Sequence, residues 1–136
     1  MDYLLDTNAC IELIKGSRPV FRTRFQRALD RGARVYVSVV VAFELWYGVG
    51  KSGRPESNAK RVAAFFAGPV ISLPFDDEDA RQAGHVRAAL ELSGQPIGAY
   101  DVLIAGQALR RGFTLITANV REFRRVKDLR WEDWAV

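Results

Sequence analysis

The sequence predicts an α/β fold in which a parallel sheet of four to five strands is flanked by helices. Short apolar segments rich in Val, Leu and Ile alternate with longer segments of helical periodicity along the whole chain. Apolar strands without a polar face are typical of parallel sheets, which need a helical connection between successive strands. The chain has 136 residues, a length at which one domain buries a full core. We therefore expect residues 1–136 to form a single domain.

Hydrophobic periodicity and flanking residues place the individual elements. Four apolar segments are predicted to be strands, and a fifth has a weaker pattern: residues 3–5, 35–38, 70–73, 115–117 and 129–131. Six segments have helical patterns: residues 8–15, 22–31, 40–49, 56–66, 77–92 and 99–111. Gly32 and Gly112 follow two of these helices as C-terminal stops, and Pro55 opens another. The acidic residues 76–79 are interpreted as a solvated cap at a helix N-terminus, where the helix dipole favours carboxylates.

Composition narrows the chemistry that is open to the chain. Cys10 is the only cysteine and His85 the only histidine, which excludes an intrachain disulfide, a thiolate cluster and the usual all-protein zinc sites. The same counts leave little basis for a Cys/His or Ser/His mechanism, so Cys10 is expected to be a small buried residue. The kind of metal site that is still possible is one in which oxygen ligands hold a hard cation.

The net charge and the hydropathy of the chain indicate which partners it suits and where in the cell we expect it. The net charge is +4 with a pI near 9.6, and 16 of the 20 cationic residues are Arg. Guanidinium groups suit bidentate phosphate contacts, so this balance favours a nucleic acid or another polyanion, although a solubilised surface explains it equally well. No stretch approaches ~18 uninterrupted apolar residues. A membrane span and a signal sequence are therefore not expected, and the chain is predicted to be cytoplasmic.

Four polar residues interrupt apolar segments, and three of the four positions belong to the carboxyl edge of the predicted sheet by strand order. Asp6 directly follows the first strand, Glu44 lies one turn into the helix after the second strand, Asp101 is in the first turn of its helix, and Asn119 follows the fourth strand. Ligands of open parallel sheets collect beyond the carboxyl ends of the strands. Carboxylates gathered there need a counter-charge, which a divalent cation can supply. The pattern indicates a metal-dependent hydrolase.

The segment around Asp6 leaves a structural alternative open. Asp6 could cap the helix that follows it. Thr7 and Asn8 could orient Asp6 or a water on its metal, and they could equally be turn and capping residues.

The other three positions also have structural alternatives. Glu44 lies in a helix that is apolar nearly all round, where a salt bridge to an arginine would be the alternative to a metal-site role. Asp101 could be a dipole partner in the first helical turn, and Asn119 could cap the next short helix. A basic cluster follows, suitable for phosphates near the metal or explicable as a solvated face: Arg121, Arg124, Arg125 and Lys127.

Taken in order, these segments resemble a PIN-domain ribonuclease, and in particular a VapC-type toxin of a type II toxin–antitoxin pair. The matching segments are the opening LLDTNACIELI, the middle SVVVAFELWYG, the long IGAYDVLIAGQALRRGFTLITANVREF and the closing RVKDLRWEDW. They match the family in order, spacing and length. No single piece is decisive, but the ordered set is specific and covers essentially the whole chain.

The resemblance implies a three-layer α/β/α sandwich and endonucleolytic cleavage of RNA that depends on Mg²⁺ or Mn²⁺. By motif, Asp6, Glu44 and Asp101 correspond to the catalytic acids, with Asp6 and Asp101 as direct metal ligands. Asn119 falls on a fourth catalytic position that is often Asp, and its neutral oxygen weakens the case for a second metal. The resemblance also implies a homodimer and a cognate antitoxin whose C-terminal segment lies in an apolar groove.

Two other classes of protein compete with this interpretation. A phosphoacceptor receiver domain would need paired acids after the first strand and a Lys after the fifth, whereas Asp6 stands alone and no such Lys follows Trp131. A non-catalytic module on the same fold that binds nucleic acid or protein stays open as the alternative, although the retained acids argue against it.

Overall fold

A computed structural model describes residues 1–136 and contains five strands and seven helices. The strands are β1 (Asp2–Leu5), β2 (Arg34–Ser38), β3 (Ile71–Leu73), β4 (Thr114–Ile116) and β5 (Trp131–Glu132). The helices are α1 (Thr7–Lys15), α2 (Pro19–Asp30), α3 (Val39–Lys51), α4 (Pro55–Ala67), α5 (Asp77–Leu92), α6 (Ala99–Arg111) and α7 (Val120–Phe123). Each predicted element is present within a few residues of its predicted bounds. The predicted fold class is confirmed.

The five strands form one parallel sheet in the order β3-β2-β1-β4-β5. β1 is central, and its Tyr3 pairs with Val35 of β2 on one side and with Thr114 of β4 on the other. The chain first extends the sheet from β1 through β2 to β3, and it later returns to add β4 and β5 on the opposite side. The strand order therefore reverses at β1, the position where α/β folds bind ligands. The backbone N–H of Asp6 donates to the carbonyl of Ile116 over 3.1 Å and joins the ends of β1 and β4.

The core lies on both faces of the sheet. Leu4 and Leu5 are consecutive residues of β1 whose side chains point to opposite faces, and both are fully buried. Trp134 closes the core near the end of the chain, because its ring packs edge-on against Tyr3 and Phe21 at centroid distances of 5.3 and 5.8 Å. The central strands are thus held between helices on either side.

Helices α5 and α6 pack against each other at very short range. A Cβ atom at Gly106 would lie 2.5 Å from the Cα atom of Ala83, so only glycine allows this approach of the two backbones. None of the seven helices combines the length with the apolar character that crossing a bilayer requires.

The acidic segment at the start of α5 differs from its prediction. Asp76 and Asp79 form a reciprocal capping box, in which the backbone N–H of each donates to the carboxylate of the other over 3.0 and 2.9 Å. The Asp79 side chain is 0% exposed and pairs with Arg110 at 2.9 Å and Arg111 at 3.2 Å. The prediction of a solvated cap is wrong for Asp79, because two arginines of α6 supply the counter-charge that a buried carboxylate needs.

Candidate active site

Asp6 connects β1 to α1 at the point where the strand order reverses. It is the N-cap of α1, and its Oδ1 accepts a hydrogen bond from the backbone N–H of Ala9 over 2.8 Å, so the capping interpretation is correct. Burial raises the pKa of its carboxyl; the Thr117 hydroxyl and the Ala9 N–H oppose this rise, and the charges of Glu44 and Asp133 add to it. Capping commits one carboxylate oxygen, so it does not exclude a ligand role for Asp6.

Glu44 is brought to Asp6 by helix α3, which starts directly at the end of β2. The Ser38 hydroxyl caps this helix, because it accepts a hydrogen bond from the backbone N–H of Val40 over 3.1 Å. Because the helix begins there, the partly buried Glu44 lies in its second turn. The Thr7 hydroxyl donates to Glu44 Oε1 over 2.8 Å and ties α3 to the start of α1. No arginine or lysine pairs with Glu44, so the salt-bridge interpretation is wrong.

Asp101 lies in the first turn of α6 and faces the same group of acids. A Cβ atom at Gly98 would lie 3.2 Å from Asp101 Oδ2, so the glycine makes room for this carboxylate. Burial raises the pKa of Asp101 to about 6, and the negative charges of Glu122, Asp6 and Glu44 contribute to the rise. The three predicted acids are therefore near enough to influence one another's charge, and we call them, with Glu122, the carboxylate cluster.

Asn119 takes the N-cap position of α7, but its side chain does not cap that helix. Its Nδ2 donates to Glu122 Oε2 over 2.6 Å, and its backbone N–H donates to the Thr117 hydroxyl over 2.9 Å. Because a carboxylate only accepts hydrogen bonds, the amide nitrogen must face Glu122. The amide oxygen of Asn119 is left available to a metal or a hydrogen-bond donor.

Two residues of this cluster were not predicted as site residues, and one predicted residue stays apart. Glu122 adds a fourth carboxylate where the motif position itself carries the neutral Asn119. The available signal was that Glu122 follows Asn119 by three residues, a spacing at which a helix brings two side chains into contact. Thr117 acts through its hydroxyl on Asp6 and on the backbone of Asn119. Asn8 is exposed and makes no side-chain hydrogen bond to the cluster.

The cluster carries four carboxylates without a compensating cation. No ion pair of the protein involves Asp6, Glu44, Asp101 or Glu122. The carboxylates also do not converge into a closed group of three or more that would hold an ion by themselves. Protein-bound Mg²⁺ keeps several waters and uses one or two carboxylates rather than a dedicated cage. The open arrangement therefore fits a hydrated hard cation, with Asp6 and Asp101 as its candidate ligands.

Comparison with known families agrees with this fold and site. The profile of the PIN domain family matches residues 3–129. The chain belongs to the PIN-domain family.

Individual relatives narrow this assignment. The chain is 40% identical over 135 residues to the tRNA(fMet)-specific endonuclease VapC of Shigella flexneri, with 99% of each chain covered. It is 31% identical to VapBC2 from Rickettsia felis, solved bound to a DNA fragment from their promoter, with a TM-score of 0.92 over 98% of this chain and 99% of that one. DNA-bound VapBC from Salmonella typhimurium gives a TM-score of 0.90 at 39% identity over 98% of both chains. These relatives place the chain among the VapC ribonucleases.

Proposed function

We propose that the protein is a metal-dependent endoribonuclease that hydrolyses RNA phosphodiester bonds and acts as the toxin of a toxin–antitoxin pair. The observation that carries the proposal is the open grouping of four carboxylates at the carboxyl edge of the sheet, with no cation of the protein to balance them. Acids that are held apart from positive charge at a cost in free energy are typical of catalytic sites. Similarity to VapC ribonucleases supports RNA as the polymer that is cut.

The side chains divide the chemistry between cation binding and proton transfer. Asp6 and Asp101 would hold Mg²⁺ or Mn²⁺, and Asn119 would offer a neutral oxygen beside them. The chemistry that these residues would gain from such a cation is Lewis-acid chemistry, which would polarise a phosphodiester oxygen and lower the pKa of a nearby water. Glu44, held in place by Thr7, would accept the proton of the water whose oxygen attacks phosphorus. As that P–O bond forms, the P–O bond to the ribose oxygen in line with it breaks, and the leaving oxygen takes a proton from solvent.

Metal dependence is the first property to test, because four carboxylates alone would repel the phosphates of RNA. Purified protein is incubated with RNA in Mg²⁺, in Mn²⁺ or in EDTA, and the parent is compared with Asp6→Ala, Asp101→Ala and the control Asp77→Ala. The control removes an exposed acid in the first turn of α5. We expect cleavage only by the parent and the control and only with metal.

Three outcomes of this experiment would count against the proposal. Activity that survives EDTA would contradict the metal-dependent mechanism. Cleavage by both Asp6→Ala and Asp101→Ala would remove the cluster from the chemistry. A parent that binds RNA in every metal tested and never cleaves it would favour the non-catalytic binding module.

Transfer RNA is the substrate class to test first. The relatives from Shigella flexneri and Salmonella typhimurium, 40% and 39% identical to this chain, are named tRNA(fMet)-specific endonucleases. We extend that substrate class to this chain and place the reaction in the cytoplasm, where transfer RNA is charged and used. Mapping cleaved RNA after induced expression is expected to reveal a cut transfer RNA. Cuts confined to messenger RNA would overturn this extension.

An apolar groove beside Glu44 is the proposed binding site of the antitoxin. It has a volume of about 350 Å³ and is lined by residues of α1, α3 and α4, among them Ile14, Leu45 and Val62. A second groove of about 470 Å³ shares Ile14 and Arg61 with it, so the two form one longer path. Because Glu44 lines the first groove, a basic side chain of a bound segment could neutralise the acids. The Rickettsia and Salmonella structures are VapBC complexes, which supports a protein partner.

The variant Ile14→Glu is expected to cleave RNA and to escape inhibition by the antitoxin.

We also propose a homodimer. Phe43, Trp46 and Tyr47 form an aromatic face on α3 and are 54%, 43% and 58% exposed in the single chain. Exposed apolar patches of this kind mark interaction surfaces. Light scattering is expected to give the mass of two chains for the parent and of one chain for Trp46→Glu. A monomeric parent at micromolar concentration would contradict the dimer.

A further inference from the structure

A further cleft, separate from the two apolar grooves described above, lies between α5 and the segment that follows α7. Its volume is about 340 Å³, at the lower end of the range of roughly 300–1,000 Å³ for small-ligand sites. Val86, Leu90 and Val126 give it a buried apolar lining, and Gln82 and Ser93 add hydrogen-bonding groups. A cleft of this size accommodates one ring system with a short polar extension rather than a folded segment of protein.

The two charged residues of this cleft are both cationic. Arg125 and Lys127 line it together with His85, and no carboxylate does. None of these three side chains takes part in an ion pair elsewhere in the protein. Unpaired cations beside an apolar lining suit a ligand that joins a flat, weakly polar ring to an anionic group.

Arg125 connects the cleft to the carboxylate cluster. Its backbone N–H donates to the carbonyl of Glu122 over 3.0 Å. Its side chain donates to the carbonyl of Pro96 over 2.9 Å, in the loop that leads to Asp101. Arg125, which lines the cleft, therefore lies three residues beyond Glu122 of the cluster and contacts the loop that leads to Asp101.

From this geometry we infer that the cleft binds one nucleotide of the RNA chain next to the bond that is cut. The base packs against Val86, Leu90 and Val126, and Arg125 and Lys127 hold a phosphate. This inference rests on the proposed function, because it takes RNA to be the polymer at the acids. Single-stranded RNA is recognised through bases that are splayed out onto apolar or planar side chains while cations follow the phosphates. The cleft would thus help to select which nucleotide lies beside the cut.

Two kinds of variant separate the phosphate contacts from the base contact. Arg125→Gln combined with Lys127→Gln removes the two cations, and the matched control Arg54→Gln combined with Lys60→Gln removes one Arg and one Lys at the exposed start of α4. Ala89→Leu keeps every charge but fills the cleft, because the exposed Ala89 lines it. Each change is made in the Asp101→Asn background, so that the RNA stays intact during the measurement.

The measurement is the binding of a fluorescent single-stranded RNA oligonucleotide over a range of salt concentrations. The Arg125 and Lys127 double variant is expected to weaken binding about tenfold or more. It should also lower the slope of log affinity against log salt by about 0.7, since the two cations hold one phosphate and each neutralised phosphate of a single strand contributes about 0.7. Ala89→Leu is expected to weaken binding several-fold with an unchanged salt slope. The control pair should stay within about twofold of the parent.

Each outcome supports or overturns the inference. Unchanged affinity in the double variant overturns it. Unchanged affinity in Ala89→Leu also overturns it, because RNA would then contact only the cations and not the interior of the cleft. Loss of antitoxin binding in place of RNA binding would also overturn it. Cleavage by the parent, followed in parallel, keeps the two proposals apart. If the parent cleaves RNA and the double variant binds as the parent does, the cleft inference alone fails. If the parent never cleaves while the variants lose binding, the nuclease proposal fails and takes with it the placement of the nucleotide beside a cut bond, and only RNA binding by the cleft is left.

Discussion

Two groups of carboxylates in this protein lie in opposite electrostatic surroundings. One is the cluster at the carboxyl edge of the sheet, formed by Asp6, Glu44, Asp101 and Glu122. Burial and the neighbouring negative charges raise the pKa of Asp101 to about 6. The other is the pair Asp76 and Asp79 at the start of α5. Burial pushes the pKa of Asp79 upward too, but hydrogen bonds from Arg111, the Asp76 backbone, Arg110 and Gln107 outweigh burial and lower it to about 2.

The difference shows that burial of an acid does not by itself indicate function. The α5 pair has its counter-charge on the neighbouring helix α6, so it joins the two helices and contributes to stability. The cluster lacks such a partner and is left with a deficit of positive charge that an external cation can fill. The absence of a protein cation, rather than the number of acids, distinguishes the candidate catalytic cluster from the structural pair.

The largest expected effect is on catalysis by the cluster. Asp101→Asn keeps the shape of the side chain but removes a candidate metal ligand and its charge. We expect the rate of RNA cleavage at saturating Mg²⁺ to fall by about 10³-fold, because metal-assisted charge stabilisation is worth several kcal/mol and each 1.36 kcal/mol is a factor of ten. A variant that keeps more than about a tenth of the parent rate would place Asp101 outside the reaction.

The next effect is on stability at the α5 pair. Asp79→Ala leaves Arg110 and Arg111 without their buried partner and removes half of the capping box. We expect the free energy of unfolding at pH 7 to fall by about 2–4 kcal/mol, below the upper range for broken buried pairs because the arginines are partly exposed. Urea denaturation measures the loss, and RNA cleavage per folded molecule should not change. A loss below about 0.5 kcal/mol would show that the pair is not structural.

The same pair should respond to acid with a defined sign. The pKa of Asp79 is lowered from 3.8 to about 2, so its stabilising contribution is complete above pH 4 and is lost as the pH falls towards 2. Asp79→Ala should therefore remove part of the acid sensitivity of unfolding between those values. If the free energy of unfolding of the variant falls between pH 4 and 2 as steeply as that of the parent, the pairing of Asp79 with the arginines is contradicted.

A smaller effect of the opposite sign is expected at the cluster. The pKa of Asp101 is raised from 3.8 to about 6, so without metal the folded protein loses stability as the pH rises from about 4 to 6. Asp101→Asn should remove this penalty and raise the free energy of unfolding at pH 7 by about 1–3 kcal/mol, since one pKa unit corresponds to 1.36 kcal/mol. Urea denaturation in EDTA at pH 4 and pH 7 tests the difference. A variant that is less stable than the parent at pH 7 would contradict the unpaired state of the cluster.

The smallest effect is expected at Glu122. Glu122→Gln removes one of the charges that raise the pKa of Asp101, but it leaves the candidate metal ligands in place. We expect about a tenfold loss of cleavage and a lower pKa for Asp101, followed by NMR of its carboxyl carbon. The substituted amide can still accept a hydrogen bond from Asn119, so a loss as large as that of Asp101→Asn would make Glu122 a direct participant.

Local pattern was sufficient to predict the fold class and to point to the acids. Asp6 directly follows a strand, and the alternation of strands and helices fixes which strand ends share an edge. The order of the strands is not a local property, and only the structure shows that β4 lies beside β1 and that Thr117, which accepts from the backbone of Asn119, reaches Asp6. The catalytic roles of these residues stay predictions.

The surroundings of two carboxylates are not evident from the sequence, for different reasons. Nothing in the sequence around Asp79 indicates that Arg110 and Arg111 of a later helix pair with it, so its burial depends on tertiary packing. Glu122 contacts Asn119 through α7, which has four residues and is too short for periodicity to reveal.

Calorimetric titration of Mn²⁺ into the parent, Asp101→Asn and the control Asp77→Ala is the most direct test of the unpaired cluster. At pH 7 we predict binding to the parent and the control, at least tenfold weaker binding to Asp101→Asn, and weaker binding to the parent as the pH falls through about 6 and Asp101 is protonated. Equal affinity in the parent and Asp101→Asn, or no binding to the parent at all, would contradict a cation site at these acids.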